Sequence, residues 1–396
     1  MISTKGAENH LKSNLLIVHG GGPTAVINSS LYGAVVEAAR HDEVGTVYGA
    51  LGGTAGIFAE RFIDFAKVSK RELELLKQTP STSIGTSRTP LESEDYDKII
   101  SVLKKYNIEY VLFNGGNGSM DACGKLYKTG RENGIHVVGI PKTIDNDIAI
   151  TDHCPGYGSA ARYLAQTVAE ISQDVRSMPI HVSIIEAMGR NAGWITAAAA
   201  LAKKDKEAGP HLIYLPEIAF DEYKFLNDVK ELYNEYGHAV VVASEGLKKA
   251  DGTPIVSPIF KTGRSVYFGD VGAHLAELVI KNLGIKARSE KPGLAGRSSI
   301  AYQSPVDRDE AILAGAEACK SVLAGKTGVM IGFKRISTLP YRIDTIEIPI
   351  EDVMLNEREM PMEYISGDGG GVTEEFVKWC RPLIGGDLPK LVWFNR

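Results

Sequence analysis

Two aspartates and a lysine in the middle of the chain have the types and the spacing that phosphoryl transfer requires. Asp145 and Asp147 stand two residues apart, just past the apolar run that ends at Pro141, so their side chains point the same way along an extended backbone. One carboxylate can accept the proton of an attacking hydroxyl while the other orients a metal ion or the base. On composition alone the aspartates would indicate a polar turn. Lys142 beside them shifts the interpretation to chemistry, because a cation there can neutralise charge on a transferred phosphoryl group.

Three glycine-rich segments follow apolar runs and could hold phosphate groups: Gly20–Gly22, Gly115–Ser119 and Met188–Gly193. Backbone N–H groups can close around phosphate oxygens where no Cβ intervenes, and the dipole of a following helix adds positive potential. Each segment by itself also fits a turn whose glycines serve packing. None of them carries the G-x-G-x-x-G pattern of a dinucleotide site, which weakens the alternative of a nicotinamide-dependent oxidoreductase.

Buried parallel strands are predicted to position these segments, because apolar runs without alternation are separated by helical patterns. Strands are predicted over 15–18, 110–113, 135–140, 181–185, 212–215 and 239–242, and helices over 24–39, 192–202, 221–236 and 269–283. The expected fold class is α/β, with two doubly wound lobes and mainly parallel sheets whose carboxyl ends bind ligands. We expect residues 1–150 to form the donor lobe, 151–355 the acceptor lobe, and 356–396 an appendage that packs back on the lobes.

Composition excludes several classes of partner. The 396 residues carry a net charge of −5, which provides no basic face for nucleic acid or an anionic membrane. No apolar run reaches the ~20 residues of a membrane span, and the polar stretch Met1–Ser13 lacks the apolar core of a signal peptide. Four scattered cysteines have no zinc or redox spacing. A cytoplasmic location is therefore expected.

Six short motifs, in order along nearly the whole chain, resemble those of the phosphofructokinase family. They are Gly21-Gly22…Asn28, Gly85–Arg88, Gly115–Ser119, Pro141–Asp147, Met188–Trp194 and Glu245-Gly246. The resemblance implies a phosphofructokinase-like fold and transfer of a phosphoryl group to the 1-hydroxyl of fructose 6-phosphate. It also implies Mg²⁺ as the cofactor and a homodimer or homotetramer as the assembly.

The resemblance further implies roles for individual residues. Asp145 would be the base that deprotonates the acceptor hydroxyl, supported by Thr143 and Asp147, with Arg190 and Lys142 stabilising charge. The implied donor-binding residues are Gly21, Gly22, Arg88, Gly115, Gly116, Asn117, Gly118 and Ser119. The implied substrate-binding residues are Met188, Gly189, Glu245, Arg288, Arg297 and His181, of which Arg288 would be lent across a subunit interface. The implied Mg²⁺ ligands are Asn117, Asp145 and Asp147.

Two positions resemble switches between phosphoryl donors in this family. ATP-dependent members have glycine where this chain has Gly118, which leaves room for the nucleotide, whereas pyrophosphate-dependent members usually have aspartate. Lys142 is common in pyrophosphate-dependent members, and some ATP-dependent members combine the same glycine and lysine. The segments Thr151–Ser159 and Arg381–Gly386 resemble the pyrophosphate branch. Giving most weight to the space at Gly118, we predict ATP as the donor, with pyrophosphate as the alternative.

Three positions depart from the family pattern. Asn117 stands where an aspartate usually helps to hold Mg²⁺, so weaker metal binding is expected. His181 occupies an arginine position of the distal phosphate site, and Leu294 stands where His or Tyr is expected. Fructose 6-phosphate is the predicted acceptor; sedoheptulose 7-phosphate or another phosphorylated or anionic ketose is an alternative. A sugar-phosphate sensor without activity is the less favoured reading.

Overall fold

The computed structural model describes residues 12–262 and 265–394. Its strands are β1 Ser13–His19, β2 Val44–Ala50, β3 Phe62–Asp64, β4 Ile108–Gly115, β5 His136–Pro141, β6 Val182–Ala187, β7 Leu212–Tyr214, β8 Ala239–Ser244, β9 Pro258–Thr262, β10 Ser265–Phe268, β11 Ala287–Glu290, β12 Val329–Thr338 and β13 Tyr341–Pro349. Its helices are α1 Ile27–Ala38, α2 Thr54–Phe58, α3 Lys70–Leu75, α4 Ser93–Lys105, α5 Asn117–Gly130, α6 Tyr157–Ser177, α7 Trp194–Ala198, α8 Glu222–Tyr236, α9 Val271–Leu283, α10 Gly293–Ser298, α11 Pro305–Leu323, α12 Ile350–Val353 and α13 Glu374–Cys380. Short 3₁₀ turns occupy Phe65–Lys67, Leu76–Gln78, Arg131–Asn133, Ala199–Ala202, Met362–Tyr364 and Arg381–Ile384.

Two sheets form the framework. The first has seven strands in the order β13-β12-β5-β4-β1-β2-β3, and the second has four in the order β11-β6-β8-β7. All pairs from β12 to β2 in the first sheet are parallel, with antiparallel β13 and β3 at its edges. The second sheet is parallel throughout, and β9 and β10 form a separate antiparallel hairpin. The predicted α/β class with mainly parallel sheets is confirmed.

Strand β1 shows why its sequence lacks polar alternation. Leu15 and Ile17 belong to one buried cluster, while Leu16 and Val18 belong to another. Successive side chains of a strand point to opposite faces of the sheet, so helices cover this strand on both sides. All four side chains have 0% exposure, and each contributes roughly 1.5–3 kcal/mol to folding. These contacts fix the loop that follows β1.

The chain returns to the first sheet after building the second. Strand β12 pairs in parallel with β5 through Val329 and Met330, and β13 pairs with β12. From the sequence, this stretch is predicted to belong to the acceptor lobe, whereas the pairing puts it in the first sheet. The division of the chain into lobes stays a prediction. Beyond it, Met360, Phe376 and Trp379 share one buried cluster with Trp194.

No helix among the described residues is long and apolar enough to cross a bilayer. The cytoplasmic location and the oligomeric assembly stay predictions.

A buried charge network joins the segment after β5 to α11, β12 and β13. His153 contacts Asp152 Oδ2 through Nδ1 at 2.8 Å and Glu310 Oε2 through Nε2 at 2.7 Å. Tyr341 donates its hydroxyl to Glu310 at 2.7 Å, and Arg335 donates to Asp152 at 3.0 Å. Burial lowers the pKa of His153, but the two carboxylates outweigh it and raise the pKa to about 9. The imidazole is therefore protonated in the folded protein at neutral pH.

We expect this network to make stability fall as the solution becomes alkaline. The pKa of His153 is about 9 in the folded protein, against an ordinary value of 6.5 for a histidine. Its contribution, on the order of 3 kcal/mol, is therefore complete below pH 6.5 and disappears as pH rises through 9. Urea unfolding at pH 6, 7.5 and 9.5 should show a smaller pH slope for His153→Gln than for the wild type. His274→Gln, on the half-buried side of α9, is the control, and equal slopes in all three proteins would contradict the assignment.

Candidate active site

The loops after three neighbouring strands leave the first sheet side by side. Strand β4 lies between β1 and β5, and its pairing with β5 runs as far as Gly115 and Pro141. A Cβ on Gly20 would lie 2.1 Å from the Ser119 hydroxyl oxygen, and one on Gly115 would lie 2.0 Å from it. Since real Cβ contacts are never so short, glycine at these two positions serves the close packing of the loops. Gly115 accordingly does not line the cleft described next.

A large cleft lies where the carboxyl ends of both sheets supply residues, with an empty volume of about 2540 Å³ including open solvent. Strands β6 and β8, paired as far as Ala187 and Ser244, deliver the residues of the second sheet. The sequence-predicted residues that line the cleft are Gly21, Gly22, Arg88, Gly116, Asn117, Gly118, Ser119, Lys142, Thr143, Asp145, Asp147, Met188, Arg190, Glu245 and Arg297. The cleft thus brings together residues from every predicted motif.

Asp145 lies half-buried in this cleft. Its backbone N–H donates to Thr143 Oγ1 at 3.0 Å, which forms a tight turn. Burial, with the nearby charges of Asp147 and Glu245, raises the pKa of the Asp145 carboxyl to about 7 against the opposing effect of Lys142. A carboxyl group with a pKa near neutrality can both accept and release a proton at physiological pH. The environment therefore suits a general base.

Asp147 and Asn117 form a polar pair at the floor of the cleft. Asn117 Nδ2 donates to Asp147 Oδ2 at 3.0 Å and to the Asp147 carbonyl at 3.3 Å. Burial raises the pKa of the Asp147 carboxyl, while the hydrogen bonds from Thr143 and Asn117 oppose the shift. Within the described part of the chain, Asn117 Oδ1 and Asp147 Oδ1 are buried without a hydrogen-bond partner. Two unpartnered acceptors favour a cation or a donor group of a ligand at this point.

Three cationic side chains meet at Gly22. Lys142 Nζ donates to the Gly22 carbonyl, and a Cβ on Gly22 would lie 3.3 Å from Arg297 Nη1 and 3.5 Å from Arg88 Nη2. Burial, with both arginines adding, lowers the pKa of Lys142 to about 8, although Asp145 opposes the shift. Arg297 is among the substrate-binding residues that the family resemblance implies. In this structure its guanidinium lies instead beside Gly22 and Arg88, two of the predicted donor-binding residues.

The exits of β6 and β8 bring Arg190 and Glu245 to the other side of the cleft. Glu245 Oε1 accepts from the Gly189 N–H at 3.4 Å, and Gly189 itself adopts φ +114°, which a side chain would disfavour. Arg190 Nη1 donates to the Val266 carbonyl at 3.2 Å, and its guanidinium lies 5.4 Å from the Phe268 ring centroid. The β9–β10 hairpin therefore orients the arginine, whereas Gly189 supports the turn without lining the cleft.

His181 and Arg288 lie away from the cleft. His181 directly precedes β6, and Arg288 pairs with Ser183 near the start of that strand. Because β6 runs from Val182 to Ala187, His181 lies roughly 20 Å and Arg288 roughly 13 Å from its carboxyl end. Burial, with Arg288 and Lys286 nearby, lowers the pKa of the buried His181. Within one chain, these two predicted substrate ligands do not meet the remainder of the site, and Arg288 is exposed.

Several residues that line the cleft were not predicted. They are Thr24, Ser87, Thr89, Tyr96, Asp121, Lys125, Tyr267 and Glu357, among others. Asp121 and Lys125 follow Asn117 at intervals of four on α5 and form an ion pair at 2.8 Å. Helical periodicity could have identified these two. No sequence signal connects Glu357 with Ile148, its bridge partner next to Asp147, because their pairing depends on the path of β12 and β13.

Comparison with known proteins agrees with this geometry. The sequence model described as Phosphofructokinase matches residues 14–322. The chain is 37% identical over 391 residues to the pyrophosphate–fructose 6-phosphate 1-phosphotransferase of Rhodospirillum rubrum, covering 96% of both chains. It is 33% identical over 378 residues to a sulfofructose kinase of Alkalicoccus urumqiensis, covering 94% of this chain and 95% of the relative. The crystal structure of a pyrophosphate-dependent phosphofructokinase from Nitrosospira multiformis superposes with a TM-score of 0.88 at 34% identity, covering 96% of this chain and 94% of that one. The resemblance inferred from the motifs, the fold and the phosphotransferase class are confirmed, and the chain belongs to the phosphofructokinase family.

Proposed function

We propose that this protein transfers a phosphoryl group from pyrophosphate to the 1-hydroxyl of fructose 6-phosphate. The observation that carries the proposal is a single cleft lined by the Asp145 carboxylate and by three cations that converge at Gly22. From the sequence alone, ATP is the predicted donor and pyrophosphate the alternative. The relatives named pyrophosphate–fructose 6-phosphate 1-phosphotransferase, at 35–38% identity over at least 94% of this chain, support the reverse order.

The charge distribution explains how the residues of the chain would carry the reaction. Asp145 accepts the proton of the 1-hydroxyl as its oxygen forms a bond to the terminal phosphorus of pyrophosphate. The bond from that phosphorus to the bridging oxygen breaks, and phosphate leaves. Lys142 and Arg190 stabilise the negative charge that builds up on the transferred group and on the leaving phosphate.

Pyrophosphate fits the donor side because anion-binding groups are concentrated there. Helix α5 begins at Asn117 without a side-chain cap and without an acidic residue in its first turn. The N–H groups of Asn117 and Gly118 have no intrahelical partner, whereas those of Ser119 and Met120 donate to the Gly116 carbonyl. Asn117 and Gly118 line the cleft at the positive end of the helix dipole. Lys142, Arg88 and Arg297 add three cations beside Gly22. Backbone donors and cations together suit a small, highly charged donor.

Mg²⁺ is the cofactor that the family resemblance implies, and the unpartnered Asn117 Oδ1 and Asp147 Oδ1 fit it as ligands. No cluster of three or more His, Cys, Asp or Glu side chains that could hold a metal occurs in the described ranges. The ion would therefore take most of its ligands from phosphate oxygens and water, as Mg²⁺ commonly does. When bound, it would neutralise charge on the phosphate oxygens. Asn117 and Asp147 would orient it, with Asp145 as a further ligand from the sequence analysis.

The space at Gly118 yields a test of donor choice. A Cβ built on Gly118 meets nothing within 4 Å and faces the cleft, so Gly118→Asp should fold normally. We expect this variant to keep kcat/KM for pyrophosphate within a few-fold of the wild type and to lose any use of ATP, because the added carboxylate occupies and repels the nucleotide path. Gly367→Asp, on an exposed turn with equal room, is the control. Loss of pyrophosphate use in Gly118→Asp alone would contradict the proposed donor position.

Phosphorylation of a sulfonated ketose is a second candidate function. The observation that favours it concerns the position that the family resemblance implies for the distal anion site: Leu294, 64% exposed, stands there in place of the expected His or Tyr. A sulfonate carries one negative charge, whereas a phosphate monoester carries nearly two at neutral pH. The relative named sulfofructose kinase supports this reading. A higher kcat/KM for 6-deoxy-6-sulfofructose than for fructose 6-phosphate would favour the second candidate, and the opposite order the first.

A further inference from the structure

We propose that Arg358 is a positioning residue that holds the reaction loop, residues Thr143–His153, in the geometry that phosphoryl transfer requires. The inference rests on the proposed function, because the same loop carries Asp145 and Asp147. Arg358 belongs to none of the six motifs and lies 211 residues beyond Asp147 in the printed sequence. It neither lines the cleft nor touches a reacting group.

The guanidinium of Arg358 donates to three carbonyls of the reaction loop. Nε and Nη2 donate to the Asn146 carbonyl at 3.2 and 2.8 Å. Nη1 donates to the Asp152 carbonyl at 2.9 Å and also to the Thr151 carbonyl. The backbone N–H of Arg358 donates to the Asp147 carbonyl at 2.8 Å. One residue therefore binds the loop both between the two aspartates and near its end.

The loop needs such support because two of its residues have positive φ angles, which residues other than glycine rarely adopt. Asn146 has φ +55° and Ile150 has φ +72°. A β-branched residue such as isoleucine is a genuine outlier in the left-handed region, and such conformations persist only where surrounding contacts hold them. The planar guanidinium presents several N–H donors in a fixed fork, so it can satisfy carbonyls that no regular strand or helix would pair. Without it, the loop would relax, and the carboxylate of Asp145 would move with it.

Arg358 is itself fixed by an aromatic cluster. Its guanidinium lies 4.7 Å from the Trp194 ring centroid, and Trp194 Nε1 donates to the Arg358 carbonyl at 3.4 Å. Trp194 in turn packs against Trp379, with their ring centroids 4.9 Å apart. Burial lowers the pKa of Arg358 below its ordinary value, yet an arginine remains charged at any physiological pH. Through Arg358, the packed aromatic cluster thus holds the reaction loop in a defined position.

Glu357, which precedes Arg358, contacts both the reaction loop and the loop on the opposite side of the cleft. Glu357 pairs in an antiparallel bridge with Ile148 of the reaction loop. Its Oε2 accepts from Asn191 Nδ2 at 3.0 Å, and Asn191 directly follows Arg190. The segment Glu357-Arg358 therefore ties the loop of the proposed base to the loop of the charge-stabilising arginine.

The test compares Arg358→Met with Arg335→Met. Arg335 is a matched control, since it is also mostly buried, lies 5.3 Å from the Trp379 ring and binds Asp152, but makes no contact with Asn146. We expect Arg358→Met to lower kcat with pyrophosphate and fructose 6-phosphate about 100-fold, while both KM values stay within a few-fold. Arg335→Met should lose stability but keep kcat within about threefold. Added guanidinium at millimolar concentration should partly restore kcat in Arg358→Ala and have no such effect on Arg335→Ala.

Hydrogen exchange of the ligand-free proteins separates this inference from the proposed function. Amides of residues 143–153 should exchange at least tenfold faster in Arg358→Met than in the wild type, with a smaller change in Arg335→Met. Unchanged exchange of the loop, or an equal loss of kcat in both methionine variants, would overturn the positioning role. A wild-type protein without activity on pyrophosphate would overturn only the proposed function, because the exchange comparison needs no substrate.

Discussion

Replacing Asp145 with asparagine is expected to lower kcat by about 10²–10⁴-fold, which is the usual contribution of a general base. Asparagine keeps the shape of the side chain, but its amide cannot take the proton of the attacking hydroxyl. The KM for fructose 6-phosphate should change little, because Asp145 acts in the transition state and not in holding the sugar. Steady-state kinetics, with binding of the sugar phosphate followed by thermal stabilisation, measure the two quantities separately.

The control for this substitution is Asp309→Asn, which changes a carboxylate that is 65% exposed and lies on α11 outside the cleft. It should leave kcat unaltered. A kcat for Asp145→Asn within tenfold of the wild type would remove Asp145 from the role of base, whatever the donor.

Replacing Lys142 with methionine is expected to lower kcat with pyrophosphate by about 10²–10³-fold, as the loss of one charge-stabilising donor usually does. The lysine is 3% exposed and donates to the Gly22 carbonyl, so its ammonium is held where the transferred group must pass. Methionine preserves most of the buried volume and removes only the charge. Lys125→Met is the matched control, since Lys125 also lines the cleft but is already paired with Asp121.

The same two residues predict the pH dependence of the wild type. The pKa of Asp145 is raised to about 7, and the pKa of Lys142 is lowered to about 8. Activity needs the first group deprotonated and the second protonated, so kcat/KM should rise through pH 7 and fall through pH 8. In Lys142→Met, the fall in kcat/KM through pH 8 should disappear, while the rise through pH 7 should remain. If kcat/KM of this variant still falls through pH 8, a group other than Lys142 causes the fall.

The centre of the site could be predicted because its functional residues directly follow apolar runs that identify buried strands. The apolar runs before Gly20, Gly115 and Pro141 identify buried parallel strands, and parallel strands bring their carboxyl ends to one edge. Asp145 therefore had to lie near the glycine loops, and the structure places it in the same cleft. Gly118 was likewise predicted to leave space, and its Cβ direction is open.

The directions of long side chains and the pairing of distant strands could not be predicted from the sequence. Arg297 follows the motif spacing of an acceptor ligand, yet its guanidinium reaches Gly22. Which way a long arginine extends depends on the tertiary surroundings of its helix. Glu357 and Arg358 reach the reaction loop only because β12 pairs with β5. The paired residues Val329 and Val138 are 191 positions apart, and no local pattern encodes such a pairing.

The most direct test of the proposed function is a matrix of donors and acceptors. Purified protein with Mg²⁺ is given pyrophosphate or ATP, each with fructose 6-phosphate, sedoheptulose 7-phosphate and 6-deoxy-6-sulfofructose, and kcat/KM is determined for every pair. We expect pyrophosphate with fructose 6-phosphate to give the highest value and to yield fructose 1,6-bisphosphate and phosphate in equal amounts. Turnover with ATP and none with pyrophosphate, for every acceptor, would contradict the account.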